Sequence, residues 1–386
     1  SSTSQGSTKC RCKFVLTLIF SERNHFCMYC QKSGGDCELQ NRAYDEGMTH
    51  WPLQPNWKPY PVDASHPDFV LDHNRCILCR RCVRACGELV GNFTLGFEER
   101  GANSVLVADL GVPLGESSCI GCGTCVQICP TGALIDRTSA YMGHETQVQV
   151  TASTCIGCSV GCGIQLVTRD NQLLRIDGDW DAPVTEGLLC NQGRFKPVSE
   201  EHERLVTPMI RKNGSLKAAT WEEALQVVRQ KFGSLVASNG DGVAAIASSR
   251  LPAEALYAFK QLFVNNFGSH MVTSTTEGFS TDPGTSLARE FGNTFEGNLD
   301  QLKTADLIFT VGADLAENHQ VAGFLIKRNL PKGSHLVVVN PKDTGWDALA
   351  DLTLPLKPGS DAELFNGITA ELVRRGRQHR EHLRHH

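Results

Sequence analysis

Thiol sulfur at two- and three-residue intervals is the chemistry most evident in this chain. Of its 17 cysteines, fifteen fall into four tight sets: Cys27/Cys30/Cys37, Cys76/Cys79/Cys82/Cys86, Cys119/Cys122/Cys125/Cys129 and Cys155/Cys158/Cys162/Cys190. Thiolate is the soft ligand that iron–sulfur clusters need, and such short intervals let one loop wrap one cluster. Neighbours this close are better suited to a metal than to one another. The spacing therefore points to a reducing compartment, the cytoplasm, rather than to secreted disulfides. A row of clusters in one polypeptide has one economical use, the movement of single electrons.

The middle two sets repeat one another as C-x2-C-x2-C-x3-C, the first ending Cys86-Gly87 and the second Cys129-Pro130. In a doubled run of this kind the fourth cysteine of each ligates the other cluster. That assigns one [4Fe–4S] cluster to Cys76, Cys79, Cys82 and Cys129, and a second to Cys119, Cys122, Cys125 and Cys86. Zinc ribbons are the bland alternative, but they use separated C-x2-C pairs, not three cysteines in close succession. Arg80, Arg81 and Arg84 flank the first run, where they would either raise an anionic cluster's potential or simply face solvent.

The outer sets are less regular. Cys155, Cys158 and Cys162 are followed by 27 residues before Cys190. The chain must leave, build a hairpin (Gly163 to Thr168 and Leu173 to Ile176, turning at 169–172) and return. Gly157, Gly161 and Gly163 are expected to give the loop its unusual dihedrals. Alone this set fits zinc or [4Fe–4S]; its company favours iron. The first set has three cysteines, and His25, two residues before Cys27, is the candidate fourth ligand, because imidazole can replace thiolate on cluster iron. The alternatives are a surface His25 beside a site closed by water, or by Cys10 or Cys12.

The elements that must hold these sets follow from composition and patterning. A formal net charge of −5 gives no bulk electrostatic support for nucleic-acid binding. The apolar run Phe14 to Phe20 is far short of the roughly 20 residues that span a bilayer. It reads as the buried face of a short helix ending at Ser21, so no direct membrane insertion is expected. Residues 1–20 form an N-terminal helix, and 21–66 carry the first set and then a Pro/Trp-rich stretch (Trp51 to Pro61) that should run extended. Residues 67–146 hold the repeat, with strand-like Val105 to Val107 between its halves. Residues 147–204 hold the fourth set. From 205 to 386 strands alternate with helices: a capping box at Thr220 to Glu223 opens a helix through Val236, then strand Val243 to Ala247, helix Ala253 to Phe267, strand Asp306 to Val311, helix Val321 to Arg328 and strand His335 to Val339. The fold class is an α+β multidomain protein: a His/Cys3 segment, a two-[4Fe–4S] ferredoxin-like domain, a small β-rich [4Fe–4S] domain and a partial doubly wound α/β domain.

These residues match known families. Asn24-His25-Phe26-Cys27, through Cys37-Glu38-Leu39-Gln40, resembles the His/Cys3 segment of the large iron–sulfur subunit of respiratory complex I. The same segment occurs in diaphorase subunits of NAD-reducing hydrogenases and in NAD-dependent formate dehydrogenases. Asp72-His73-Asn74-Arg75-Cys76-Ile77-Leu78-Cys79 continues that likeness into the repeat. The fourth set, followed by Arg204-Leu205 and Thr207-Pro208-Met209, resembles the N-terminal domain of molybdopterin oxidoreductases such as formate dehydrogenase alpha subunits. The α/β region to about residue 375 resembles the pterin-binding part of that fold.

Four departures qualify what the resemblance implies. Arg23 stands where complex I subunits place their histidine, and His25 stands as in hydrogenase diaphorases; the interval from Cys30 to Cys37 is one residue longer than usual. Gln192 replaces the lysine that catalytic members set between cluster and pterin. No cysteine follows Cys190 to ligate molybdenum or tungsten, and Thr273-Ser274-Thr275-Thr276-Glu277-Gly278 occupies the approximate place. The chain also lacks the family's [2Fe–2S] domain before residue 10 and the remaining pterin-binding domains after 386.

Together these imply four [4Fe–4S] clusters, no [2Fe–2S] cluster and doubtful molybdopterin. The expected function is an electron-transfer subunit of a cytoplasmic NAD(P)-linked complex, without a substrate site of its own. Its partners would be a flavin/NAD(H)-binding diaphorase subunit and a second redox subunit such as a hydrogenase or formate dehydrogenase. A catalytic molybdenum or tungsten formate dehydrogenase is the second reading, and a zinc-stapled, non-enzymatic scaffold the third.

Overall fold

The computed structural model describes residues 2–377 apart from Phe26, Trp51, 200–204, 237–241, Ser249 and 275–297. Phe26, Trp51, Arg204, Thr275 to Gly278, the side chain of Cys10 and the tail beyond Arg377 thus lie outside the described residues. The chain divides into two compact units, Ser1–Glu200 with Asn298–Ala362, and Glu201–Gly297 with Glu363–His386.

The first unit begins with one helix, Ser2–Glu22, longer than the short helix expected. Leu16, Thr17 and Phe20 are buried, whereas Phe14, Val15 and Leu18 are exposed. A seven-residue run that is apolar except for Thr17 wraps right round a helix, so a one-sided contact buries only part of it. Leu16 and Phe20 pack with Leu39, Ala43 and Met48, which places the helix Glu38–Asp45 beside the first cysteine set. Residues 54–61 have no regular structure, as their prolines dictate. They are strapped to the first helix, with Trp57 Nε1 donating to the Phe20 carbonyl at 2.9 Å.

Strand Phe69–Asp72 pairs antiparallel with Leu134–Asp136, in register Phe69 to Asp136 and Leu71 to Leu134, and Val62–Asp63 adds to its other edge. Phe69 and Leu71 alternate inward. They form one core with Leu95, Leu106, Leu114, Leu134, Cys125 and Phe195, against which Cys82, Cys86, Cys119 and Cys129 pack. Leu95–Glu98 and Val105–Ala108 make a hairpin between the two halves of the repeat.

The β-rich part has three antiparallel strands, Gln149–Thr154, Gly163–Arg169 and Gln172–Gly178. The hairpin expectation holds, with Asp170 and Asn171 at φ 50° and 61°, the left-handed pair of a two-residue hairpin turn. The additional strand is exposed at every residue, so it carries no alternation to read. Leu307–Val311, His335–Val339 and Leu352–Leu354 form a parallel sheet whose first two strands are connected through the helix Gln320–Asn329.

In the second unit Ala244–Ala247 and Met271–Ser274 pair in parallel. The helix Trp221–Val236 opens with a reciprocal capping box: the Thr220 amide donates to Glu223 Oε2 and the Glu223 amide to Thr220 Oγ1, both at 3.2 Å. The helix Ala253–Lys260 continues as a wider turn over Gln261–Asn266. No helix among the described residues is long and apolar enough to cross a membrane.

Candidate metal centres

The repeat shares backbone conformation as well as spacing. Leu78 and Gly121, each two residues after the first cysteine of a run, have φ of 54° and 64°. Arg80 and Gly123, four residues after it, have φ of 66° and 68°. A left-handed leucine and arginine are strained, and the reward is sulfur geometry. The Leu78 amide donates to Cys76 Sγ at 3.4 Å, the Gly121 amide to Cys119 Sγ at 3.4 Å and, in the fourth set, the Gly157 amide to Cys155 Sγ at 3.5 Å.

Three cavities are lined by the sequence-derived sets. One of about 310 Å³ has His25, Cys27, Cys30 and Cys37 in its wall with Phe20, Arg75 and Thr131. A second, about 340 Å³, is walled by Cys76, Cys79, Cys82 and Cys129, with Phe97 and Thr131. A third, about 420 Å³, is walled by Cys86, Cys119, Cys122 and Cys125, with Val90 and Leu134. Each run thus sends its fourth cysteine to the other run's cavity. Among the described residues no three His, Cys, Asp or Glu side chains converge closely enough to hold a single metal ion; the sulfurs stand around cavities instead.

Cys155, Cys158, Cys162 and Cys190 also come together. The Cys155 amide donates to the Cys162 carbonyl at 2.8 Å, closing the loop. Burial first, then the charges of Cys155, Cys190 and Cys158, push the Cys162 thiol up to about 12. Of the three loop glycines only Gly161 has a positive φ, 64°. Gly163 is required for a different reason: a Cβ there would lie 2.5 Å from Cβ of Ala182.

Burial also raises Cys76 and Cys119, each to about 11, and Cys125 and Cys82 rise further, with neighbouring sulfurs adding to the effect. Buried thiolates that repel one another require a cationic core to neutralise them, and four soft donors around a cavity fit an iron–sulfur cluster.

His25 fits the same chemistry. Its Nε2 is buried without a hydrogen-bond partner, in a cavity otherwise edged by three thiols. Burial, followed by the charges of Arg75 and Arg23, lowers its pKa to about 4, so it presents a neutral imidazole. Arg23 does not line that cavity. It is buried elsewhere, donating to the carbonyls of His73 and Ser104 with its guanidinium 4.0 Å above the Tyr60 ring. Cys12 is absent from the cavity wall and lies instead beside Arg42, whose guanidinium its side chain helps to keep charged.

The flanking arginines divide. Arg81 forms a two-pronged pair with Glu38 (2.6 and 2.8 Å), and Arg84 pairs with Glu88 (both bonds 2.9 Å). Arg80 alone turns to the second cavity, 5.8 Å from the Phe97 ring centroid.

Sequence reasoning missed Arg194. This buried guanidinium stands four residues after Cys190 and donates to the Cys122 carbonyl at 2.8 Å, the Ile176 carbonyl at 3.4 Å and Gln127 Oε1 at 2.8 Å. Gly121 and Gly123 admit it and Asn191, since a Cβ on either would meet those side chains at 2.8 and 2.4 Å. Paired glycines in the cysteine loop were the available signal. Gln192, by contrast, is exposed.

Five family models match parts of the chain. Residues 13–51 match the NADH-ubiquinone oxidoreductase-G iron–sulfur binding region, 75–133 and 112–164 match 4Fe–4S dicluster domains, 148–197 match the molybdopterin oxidoreductase Fe4S4 domain and 204–380 match molybdopterin oxidoreductase. The chain is assembled from iron–sulfur and molybdopterin oxidoreductase domains. A G-type subunit of the NADH-quinone oxidoreductase of Rhizobium meliloti is 29% identical over 93% of this chain and 42% of its own length. A Staphylococcus aureus protein provisionally named a formate dehydrogenase is 26% identical over 94% of this chain and 41% of its own. The chain therefore spans about two fifths of these relatives. Among solved structures, a NAD+-reducing [NiFe]-hydrogenase is 40% identical over 34% of this chain and 56% of that one, with a TM-score of 0.32.

Proposed function

We propose that this chain is an electron relay, holding four [4Fe–4S] clusters in a cytoplasmic, NAD(P)-linked oxidoreductase complex. The ligands would be His25/Cys27/Cys30/Cys37, Cys76/Cys79/Cys82/Cys129, Cys119/Cys122/Cys125/Cys86 and Cys155/Cys158/Cys162/Cys190. Each cluster, when bound, supplies a one-electron couple whose potential follows ligand type, burial and hydrogen bonds to sulfur.

The observation that carries this reading is continuity. Thr131 lines both the first and second cavities, and Leu134 both the second and third. The Glu38 amide, beside Cys37, donates to the Pro130 carbonyl, beside Cys129, at 3.0 Å. Cys122 of the third set and Cys162 of the fourth share one buried apolar core with Val90, Ile164 and Leu189. The protein's own residues thus put adjacent stations in contact, with Cys76, Cys122, Cys125 and Cys162 buried and Cys79 exposed. No proton donor or acceptor is required.

Partners are inferred from relatives: one is named as a subunit of an NADH-quinone oxidoreductase. A flavin/NAD(H) subunit would stand on one side of the relay and a second redox subunit on the other. The match of residues 204–380 to molybdopterin oxidoreductase supports a second reading, in which the chain also binds pterin and metal. Metal analysis of the anaerobically purified chain separates them. About sixteen irons without molybdenum or tungsten supports the relay; bound molybdenum or tungsten supports the second; zinc without iron overturns both.

A further inference from the structure

The helix Gln320–Asn329 lies across two of the cysteine-lined centres although it belongs to the α/β part of the chain. Its Val321 and Phe324 are buried in the same apolar core as Cys122 and Cys162. Near its start, His319 Nε2 lies 3.1 Å from the hydroxyl of Ser159, which follows Cys158. Three residues beyond Phe324, on the same face, comes Lys327.

Lys327 meets the turn that follows Cys86. That turn is closed by the Gly91 amide donating to the Gly87 carbonyl at 3.1 Å and the Asn92 amide to the Cys86 carbonyl at 2.9 Å. Gly91 has φ of 71°, and a Cβ there would lie 2.7 Å from Cβ of Lys327. The missing side chain lets the helix approach this closely. The Lys327 stem is half-buried and its Nζ sits 5.5 Å from the Trp346 ring centroid. Among the described residues no carboxylate pairs with it. Burial lowers its pKa, and the charge that opposes this is Cys86.

We propose that Lys327 is the cation that sets the reduction potential of the cluster held by Cys86, Cys119, Cys122 and Cys125. This rests on the relay reading above. One-electron reduction, the electron arriving from the adjoining cluster, adds a unit of negative charge while no bond forms or breaks and no proton moves. A fixed ammonium in a poorly solvated site favours the more negative state and so raises the potential. The α/β region gains a role that needs no pterin: it delivers this charge to the relay through one helix. Lys327 is a tuning residue, not a catalytic one.

The test is a reductive titration of the full chain, followed by low-temperature paramagnetic resonance, for wild type, Lys327→Met and Lys327→Arg. Cys86→Ser marks which signal belongs to the third cluster. Lys327→Met should disfavour reduction of that cluster about tenfold, a fall of about 59 mV for a one-electron couple. The other three clusters should hold their potentials, and Lys327→Arg should restore the lost one. Gly91→Ala, which pushes the helix away with the lysine intact, should lower the same potential. An iron-loaded Lys327→Met chain with all potentials unmoved, or all moved equally, overturns the inference and leaves the relay standing. A wild-type chain that takes up no iron overturns both.

Discussion

Arg194 donates from its Nε to the carbonyl oxygen of Cys122 at 2.8 Å, tying the helix that follows one cluster-ligand candidate to the loop that carries another. Asp177 lies 3.5 Å away, and burial pulls the guanidinium's pKa down while that carboxylate and the sulfurs of Cys122 and Cys125 oppose it. Arg194→Met would leave the Cys122 carbonyl without this donor and Gln127 Oε1 with only the Gly178 amide, at 3.0 Å. Asp177 keeps Arg175 at 2.8 Å, so the expected loss is about 2 kcal/mol, the scale for leaving a buried acceptor without its partner. Lysine cannot rescue it, because one point charge does not reproduce three directed bonds. Denaturant unfolding together with the rate of iron release to a chelator checks this, and an unchanged midpoint would contradict it.

His25 gives a pH dependence with a definite sign. Its pKa is about 4 in the folded chain, against about 6.5 for an ordinary histidine. Between those values the unfolded chain binds a proton that the folded chain refuses. In the iron-free chain stability is therefore fully present above about pH 6.5 and falls as the solution is acidified towards 4, by up to about 3 kcal/mol. His25→Ala should flatten that slope and lower iron by about four atoms per chain. His25→Cys should restore the iron with a lower potential for that cluster, since thiolate replaces imidazole. Stability curves at several pH values and iron counts on the three proteins decide it.

Gly132 marks where the first centre touches the second. A Cβ at this position would lie 2.3 Å from Cys30 Sγ. Gly132→Ala must displace that sulfur, so the first cluster should be lost or its spectrum altered while the other three remain. Equal loss of all four would mean the substitution acts on folding instead. Resonance spectra of the anaerobic variant distinguish these outcomes.

Much of the site was legible because spacing is itself the ligand geometry. Cys76, Cys79 and Cys82 sit on one loop, and only the topology that brings Cys129 to them had to be assumed. The strands were legible where alternation marks burial, as at Phe69 and Leu71, and the capping box announced the helix at Trp221. What escaped depends on long-range partners. Strand 149–154 is exposed throughout and shows no period. Arg194 and Lys327 look like any surface cations until Gly123 and Gly91 are seen to make room for them. Arg81 and Arg84 lie beside the cysteines as expected, but Glu38 and Glu88 claim their charges.

The crossed arrangement of the repeat makes the last prediction. Cys129 is last in its own run, yet it lines the cavity of Cys76, Cys79 and Cys82, and its charge acts on Cys76 and Cys82. Cys86 lines the cavity of Cys119, Cys122 and Cys125, and acts on Cys119 and Cys125. Cys129→Ser should therefore perturb the cluster of the first run, and Cys86→Ser that of the second. A ligand taken from its own run would give the reverse pattern. The two clusters can be told apart through Cys76→Ser and Cys119→Ser, which remove a ligand that belongs to the first and to the second cavity respectively. Cys129→Ser should alter the same resonance signal as Cys76→Ser, and Cys86→Ser the same signal as Cys119→Ser. If Cys129→Ser instead alters the signal that Cys119→Ser alters, the crossed assignment fails, because that cysteine then serves its own run.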